Sequence, residues 1–168
     1  LKEQFPVDFI IEPSPNRCFS DQEYSDQGLV ITQDLSTCDV LLGVKEPILE
    51  SILKDKTYFV FSHTIKAQPY NRELLKTFLQ RNNRLIDYEV LTDEKGRRLI
   101  AFGFFAGLVG ALNALWTYVQ RHKLGTLPRL NSLSSFNDVL PYYQKINWPA
   151  VKIVLTGEGR VASGSVKT

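Results

Sequence analysis

The sequence predicts an α/β fold, with a mainly parallel open sheet and helices on both faces. Three observations carry that prediction. Short apolar runs alternate with helix-periodic segments. One run, Asp39-Val40-Leu41-Leu42-Gly43-Val44, is continuously apolar after its opening aspartate, as expected of a parallel strand buried on both faces. Near the end, Val151-Lys152-Ile153-Val154-Leu155-Thr156 leads straight into Gly157-Glu158-Gly159-Arg160-Val161-Ala162. That is the Gly-x-Gly-x-x-Gly/Ala spacing of a strand-to-helix turn that accepts a pyrophosphate.

The elements follow in order. Val7 to Ile11 reads as a strand, closed by the turn-forming Pro13-Ser14-Pro15-Asn16. Ser20-Asp21-Gln22-Glu23-Tyr24 reads as a capped helix start that closes near Gly28. Leu29 to Thr32, Asp39 to Val44 and Thr57 to Phe61 read as strands. Pro69 to Arg81 is an amphipathic helix, with Leu74, Leu75, Phe78 and Leu79 on one face. Leu85 to Leu91 reads as a strand that turns through Asp93-Glu94-Lys95-Gly96 into another at Leu99 to Phe102. Phe104 to Lys123 is the longest helix and is apolar almost all round, the mark of a buried helix. Leu124 to Leu130 is a loop and Phe136 to Ile146 a helix. Asn147-Trp148-Pro149 is a linker, and Val151 to Thr156 is a buried strand.

Composition narrows the class. The 168 residues are 43% hydrophobic and 23% charged, with a net charge of +2, as in an ordinary globular protein. No basic block or basic-aromatic stripe suggests nucleic acid. No apolar run is long enough to suggest a membrane span. Leu1-Lys2-Glu3-Gln4 does not read as a signal peptide, and the expected location is cytoplasmic. Cys18 and Cys38, the only cysteines, lack the spacing of a redox pair or zinc knuckle. They are expected as buried or half-buried free thiols, and no metal is expected.

The candidate chemistry sits where apolar strands end. In open α/β sheets, ligands collect at the carboxyl ends of strands. Lys45 and Glu46 follow one such strand, and Ser62-His63-Thr64-Ile65-Lys66 follows the next. Lysine beside a buried run and histidine are both suited to proton exchange. Adjacent strands lie about 5 Å apart, so Lys45 and His63 can serve one cleft. Asp87-Tyr88-Glu89 brings carboxylates to the same region. Glu46 and Glu89 are placed to hold Lys45 charged or to tune His63. Arg97 and Arg98 are suited to a bidentate grip on a carboxylate. Phe102 opens a small-residue segment, Ala101 to Gly107, that has room for a ligand. Gly157, Gly159, Arg160 and Ala162 form the cofactor turn, with Gly157 allowing its bend and Ala162 keeping helix and strand close. His122, between Arg121 and Lys123, reads as a partner of the helix dipole.

These residues carry a family resemblance. Cys38-Asp39-Val40-Leu41-Leu42-Gly43-Val44-Lys45-Glu46-Pro47, followed by Phe61-Ser62-His63, resembles the N-terminal domain of alanine dehydrogenases and proton-translocating transhydrogenases. Leu85-Ile86-Asp87-Tyr88-Glu89, Gly96-Arg97-Arg98-Leu99-Ile100-Ala101-Phe102-Gly103 and Phe105-Ala106-Gly107-Leu108-Val109-Gly110 look more like one branch. That branch is the lysine-forming saccharopine dehydrogenases and lysine–ketoglutarate reductase domains. The resemblance spans Glu12 to Gly164.

The resemblance implies a Rossmann/flavodoxin-like fold and an NAD- or NADP-linked oxidation of saccharopine to lysine and 2-oxoglutarate. It implies Lys45 and His63 as the acid–base pair and Glu46 and Glu89 as tuning groups. Arg98 would bind the amino-dicarboxylate substrate. Lys66, Arg97 and Phe102 are further candidates for substrate binding or pKa tuning. Residues 1–147 would form the catalytic domain, lacking its usual opening basic segment. Residues 148–168 would begin the cofactor domain, so the isolated chain is expected to be inactive. Ala162 stands where that branch often has Gly. Partners would be a small amino-acid or 2-oxo-acid substrate and a second copy in a homodimer. Alanine dehydrogenase activity and a non-catalytic ligand-binding domain are the alternatives.

Overall fold

The computed structural model describes residues 4–168; Leu1, Lys2 and Glu3, on which part of the signal-peptide reading rests, lie outside them. The chain divides into two compact units, Leu1–Ile100 and Ala101–Thr168.

In the first unit every paired strand is parallel, as expected of an α/β fold. β1 (Ile10–Ile11) pairs with β2 (Val30–Ile31). β3 (Val40–Leu42), β4 (Thr57–Val60) and β5 (Arg84–Asp87) form a separate sheet with β4 in the centre. Helix α1 (Asp21–Asp26) lies between β1 and β2 in the chain. It begins at Ser20, whose hydroxyl accepts the Glu23 N–H while the Glu23 carboxylate accepts the Ser20 N–H at 2.7 Å. Gly28 follows at φ 73°, a left-handed conformation that suits glycine.

Helix α2 (Arg72–Gln80) supplies the core of this unit, after a 3₁₀ turn at Pro69–Asn71. Leu74 and Phe78 pack with Ile52 and Tyr58, and the Tyr58 and Phe78 rings meet edge to face at 5.0 Å. Leu75 and Leu79 remain exposed, so the buried stripe is narrower than the sequence pattern suggests. The i, i+4 pair Leu74 and Phe78 alone meets the sheet.

Burial of β3 also differs from expectation. Leu41 turns toward the α2 core, but Val40 and Leu42 are exposed, Leu42 by 66%. Side chains alternate across a strand, and among the described residues only one face of β3 is covered. The expected strand Leu85 to Leu91 shortens to β5, because beyond the Tyr88 ladder bond the Val90 N–H turns back to the Asp87 carbonyl and the Asp87 side chain accepts the Glu89 N–H. The expected hairpin becomes a single antiparallel bridge between Thr92 and Arg98. Asp93 builds that turn by accepting the N–H groups of Lys95 and Arg97, and Leu99 to Phe102 forms no strand.

The second unit is built on α3 (Gly103–His122). Leu112 and Val119 pack with Leu127, Val139 and Ile146. Phe105 and Val109 are exposed, so α3 is buried on a stripe and not all round. It ends at Lys123, in left-handed conformation at φ 53°, with Arg121 and His122 in its last turn. The expected helix Phe136 to Ile146 resolves into a 3₁₀ turn at Phe136–Val139 and the short α4 (Leu140–Tyr143). Pro141 lies in the first turn of α4, where its missing N–H does no harm.

Val151 to Thr156 does not form a strand and is not buried: Ile153 is 64% and Val154 74% exposed. A strand needs a neighbour for its N–H and C=O groups, and none of the described residues pairs with this run. The following turn does lead into a helix, α5 (Arg160–Val166). Close packing here is helix on helix. A Cβ added at Gly107 of α3 would strike the Val161 carbonyl, and one at Gly164 would strike the Phe104 carbonyl. Gly164, rather than Ala162, makes the closest approach, because Ala162 has no strand beside it.

Cys18 and Cys38 are free; Cys18 is exposed, contrary to expectation, and Cys38 half-buried. Among the described residues no helix is long and apolar enough to cross a membrane, and no cluster of His, Cys, Asp and Glu could hold a metal ion.

Candidate active site

The sheet's register brings three strand ends together. Leu42 pairs with Phe59, and Phe59 with Ile86. The ladder continues past the strands, with the Phe61 N–H donating to the Val44 carbonyl at 3.2 Å and the Tyr88 N–H to the Val60 carbonyl at 3.1 Å. Lys45, His63 and Glu89 therefore follow adjacent strands at the same, carboxyl end of one parallel sheet. Gly43 fits the strand exit closely: a Cβ there would lie 3.2 Å from the Val60 side chain.

Local geometry then aims His63. Its backbone is left-handed, at φ 57°, which is rare for a residue with a Cβ. A 3₁₀ turn at Thr64–Lys66 follows at once and returns Lys66 toward the imidazole. Phe61 lies roughly parallel to the His63 ring at 6.5 Å and packs edge-on to Tyr88 at 5.2 Å. Burial raises the Tyr88 phenol above its usual range.

Glu89 is the hub. Its side chain is only 3% exposed. Oε2 lies 2.8 Å from His63 Nδ1, Oε1 lies 3.2 Å from Lys66 Nζ, and the Arg98 guanidinium is 3.7 Å from Oε1. Burial pushes the Glu89 carboxyl up, but the bonds from His63 and Lys66 outweigh it and leave the group below its ordinary value of 4.5.

These contacts favour one imidazole tautomer. Lys66 Nζ is 3.0 Å from the same Nδ1. An ammonium only donates and a carboxylate only accepts, so Nδ1 cannot satisfy both. With Nδ1–H donating to Glu89 and Lys66 donating to the other carboxylate oxygen, every group has a compatible partner. Nε2 is left without a hydrogen-bond partner among the described residues and is available for proton exchange.

The other expected residues divide. Lys45 is exposed at the end of β3 and makes no hydrogen bond or ion pair among the described residues; half-buried Glu46 makes none either. Glu89 turns to His63 and Lys66. Arg97 Nε donates to Asp93 at 2.8 Å in the turn, whereas Arg98 faces Glu89. Phe102, in the second unit, is the N-cap of α3. In the same unit, Gly157 has φ 95° and Gly159 caps α5, with nothing within 4 Å of where either Cβ would stand. Arg160 opens α5, and Ala162 is half-buried. Sequence reasoning missed the work of Ser62 and Asp87, which join each other beneath the site. The signal was present in the hydroxyls flanking His63 and the acid two residues before Glu89.

Comparison with known proteins places this architecture. Residues 1–109 match the family described as alanine dehydrogenase/PNT, N-terminal domain. The chain belongs to that family. It is 44% identical over 106 residues to the mitochondrial alpha-aminoadipic semialdehyde synthase of Rattus norvegicus, covering 63% of this chain and 11% of that protein. It is 30% identical over 172 residues to the saccharopine dehydrogenase [NAD(+), L-lysine-forming] of Yarrowia lipolytica, covering 93% of this chain and 47% of that one. A solved L-alanine dehydrogenase shares the fold, with a TM-score of 0.61 at 18% identity, over 95% of this chain and 42% of that chain. The chain thus spans about a tenth of the synthase and under half of the lysine-forming dehydrogenase.

Proposed function

We propose that the full-length protein is an NAD- or NADP-dependent oxidoreductase of amino-acid CH–NH groups, interconverting saccharopine with lysine and 2-oxoglutarate. The observation that carries this reading is the His63–Glu89–Lys66 cluster at the carboxyl end of a parallel sheet, beside the end that bears Lys45. The 93% coverage by a lysine-forming saccharopine dehydrogenase supports the substrate class. Residues 1–147 are read as the catalytic domain and 148–168 as the start of the cofactor domain.

The turn at Gly157 to Ala162 suits a dinucleotide pyrophosphate: glycine takes the positive φ, and no side chain blocks the backbone at Gly157 or Gly159. Gly157, Gly159, Arg160 and Ala162 would hold it. When bound, the nicotinamide takes up or returns the hydride.

The chain's own residues handle protons. In the oxidative direction Lys45 accepts the proton of the secondary amine as the substrate carbon loses hydride and becomes an imine. His63 Nε2 accepts a proton from the water that adds to the imine carbon and returns it to the amine nitrogen. Lys45 then returns its proton to the same nitrogen, His63 Nε2 takes the remaining hydroxyl proton as the carbonyl forms, and the carbon–nitrogen bond breaks to release lysine and 2-oxoglutarate. Glu89 holds the imidazole in its Nδ1–H form, and Arg98 offers a guanidinium to a substrate carboxylate. Lys66, Glu46 and Arg97 complete the candidate surround. A cytoplasmic location and a homodimer belong to the same reading.

The test is NADH or NADPH oxidation by the full-length protein with lysine plus 2-oxoglutarate. Turnover is expected, falling about a hundredfold or more in Lys45→Met and His63→Gln. Unchanged turnover in both variants rejects the assigned roles. Preference for pyruvate plus ammonia rejects the substrate.

A further inference from the structure

Beneath the site lies a buried carboxylate that the proposed chemistry does not use. Asp87 ends β5 and is almost fully enclosed. Its Oδ2 accepts the Ser62 hydroxyl at 2.5 Å, and its Oδ1 accepts the Glu89 N–H at 2.8 Å. Ser62 is wholly buried on the exit of β4. Because a carboxylate only accepts, the Ser62 O–H goes to Asp87. Ser62 Oγ is then left to accept from the Thr64 hydroxyl at 2.8 Å and the Thr64 N–H at 3.2 Å. One carboxylate thus ties the exit of β4 to the exit of β5, and through Thr64 it grips the far side of His63.

We infer that Asp87 is a positioning residue which, with Ser62, fixes the left-handed turn at His63 and the backbone of Glu89 so that Nδ1 and Oε2 meet. The inference rests on the proton-transfer role proposed for His63. The His63 conformation is unfavourable for a side-chain-bearing residue and persists only where its surroundings determine it. His63 stands between Ser62 and Thr64, which Asp87 holds directly and through Ser62, and Glu89 is held by its own N–H, so the clamp brackets both ends of their hydrogen bond. A buried hydrogen-bond network of this kind has to be complete to specify one geometry.

The substitutions are graded by what they leave. Asp87→Ala removes both arms, and Ser62→Ala removes the arm to β4. Asp87→Asn keeps an oxygen for the Glu89 N–H; its amide donates to Ser62 Oγ, whose own hydrogen then turns to Thr64. In the full-length protein kcat should fall about tenfold or more for Asp87→Ala, with KM for the nicotinamide cofactor within about twofold. Ser62→Ala should fall between, and Asp87→Asn should lie within about threefold of the parent. The second readout is the His63 Nδ1 proton resonance in ¹⁵N-histidine-labelled protein. It should lie far downfield in the parent and in Asp87→Asn, and be lost or broadened in Asp87→Ala and Ser62→Ala. Should Asp87→Ala fail to fold, Ser62→Ala and Asp87→Asn still decide.

Folded Asp87→Ala with parental kcat and an unmoved His63 resonance overturns the inference, as does Asp87→Asn as impaired as Asp87→Ala. Full turnover in His63→Gln overturns instead the functional reading, and the resonance still reports whether Asp87 sets the His63–Glu89 bond.

Discussion

His63 Nδ1 stands 2.8 Å from Glu89 Oε2, across two neighbouring parallel strands and between residues 26 apart in the chain. The bond has two consequences. It turns Nδ1 to Glu89 and leaves Nε2 without a hydrogen-bond partner among the described residues, and it gives a nearly inaccessible carboxylate a donor. Lys66 supplies the second donor, so the charge of Glu89 is balanced within a few ångströms.

Glu89→Gln keeps the shape and removes the charge. We expect kcat to fall about tenfold or more, because the imidazole loses the anion that fixes its tautomer. Steady-state kinetics in the full-length protein check this; an unchanged kcat contradicts it.

The same carboxylate makes stability depend on pH. Its native pKa lies below the ordinary 4.5, so it contributes stability above 4.5 that is lost as the pH falls through the lower native value. Glu89→Gln should therefore be less stable than the parent near neutrality, and the difference should shrink below pH 4.5. Urea midpoints measured across that range decide it, and a gap that widens on acidification would show the sign to be wrong.

Backbone strain at His63 predicts a stability difference between two variants that both lose the imidazole. Glycine adopts φ 57° without the Cβ clash. His63→Gly should be more stable than His63→Ala by about 1 kcal/mol, while both lose turnover. Equal denaturation midpoints would mean that the left-handed turn is not strained.

In the second unit, Gly107 and Gly164 let α3 and α5 touch backbone to backbone. Gly107→Ala forces the Val161 carbonyl away and should destabilise by about 1–3 kcal/mol, despite alanine's better helix propensity. A raised melting temperature would falsify this packing.

Asn83 ties β5 to the loop before β4: Oδ1 accepts the Lys56 N–H and Nδ2 donates to the Leu53 carbonyl, each at 2.8 Å. Asn83→Ala leaves both backbone groups without their partner and should destabilise by about 2 kcal/mol. Chemical denaturation measures it; a loss near zero would mean that water replaces both bonds.

Much of this was legible in the sequence, and the limits follow a pattern. The apolar run at Asp39 to Val44 correctly announced a parallel strand, and Ser20 with Glu23 correctly announced a helix start. Both signals are local, set by side-chain periodicity and backbone capping. The run at Val151 to Thr156 has the same apolar character and is not a strand. Pairing is a property of two segments, and periodicity in one cannot show whether the other is in place. The turn after Leu91 formed around Asp93 as expected, but its arms bridge only at Thr92 and Arg98, and Leu99 to Phe102 does not extend into a strand.

At the site, the chain itself determined which groups stand at strand ends: Lys45 after β3, His63 after β4, Glu89 after β5. What it left open was the pairing. Glu89 lay as plausibly beside Lys45 as beside His63, and Asp87 was one more acid in a row. Only the sheet register, the left-handed turn at His63 and the direction of each carboxylate oxygen decided that Glu89 grips the imidazole and that Asp87 grips the turn beneath it. Hydrogen bonds act over about 3 Å and depend on angle, so they are chosen by three-dimensional placement and not by spacing along the chain.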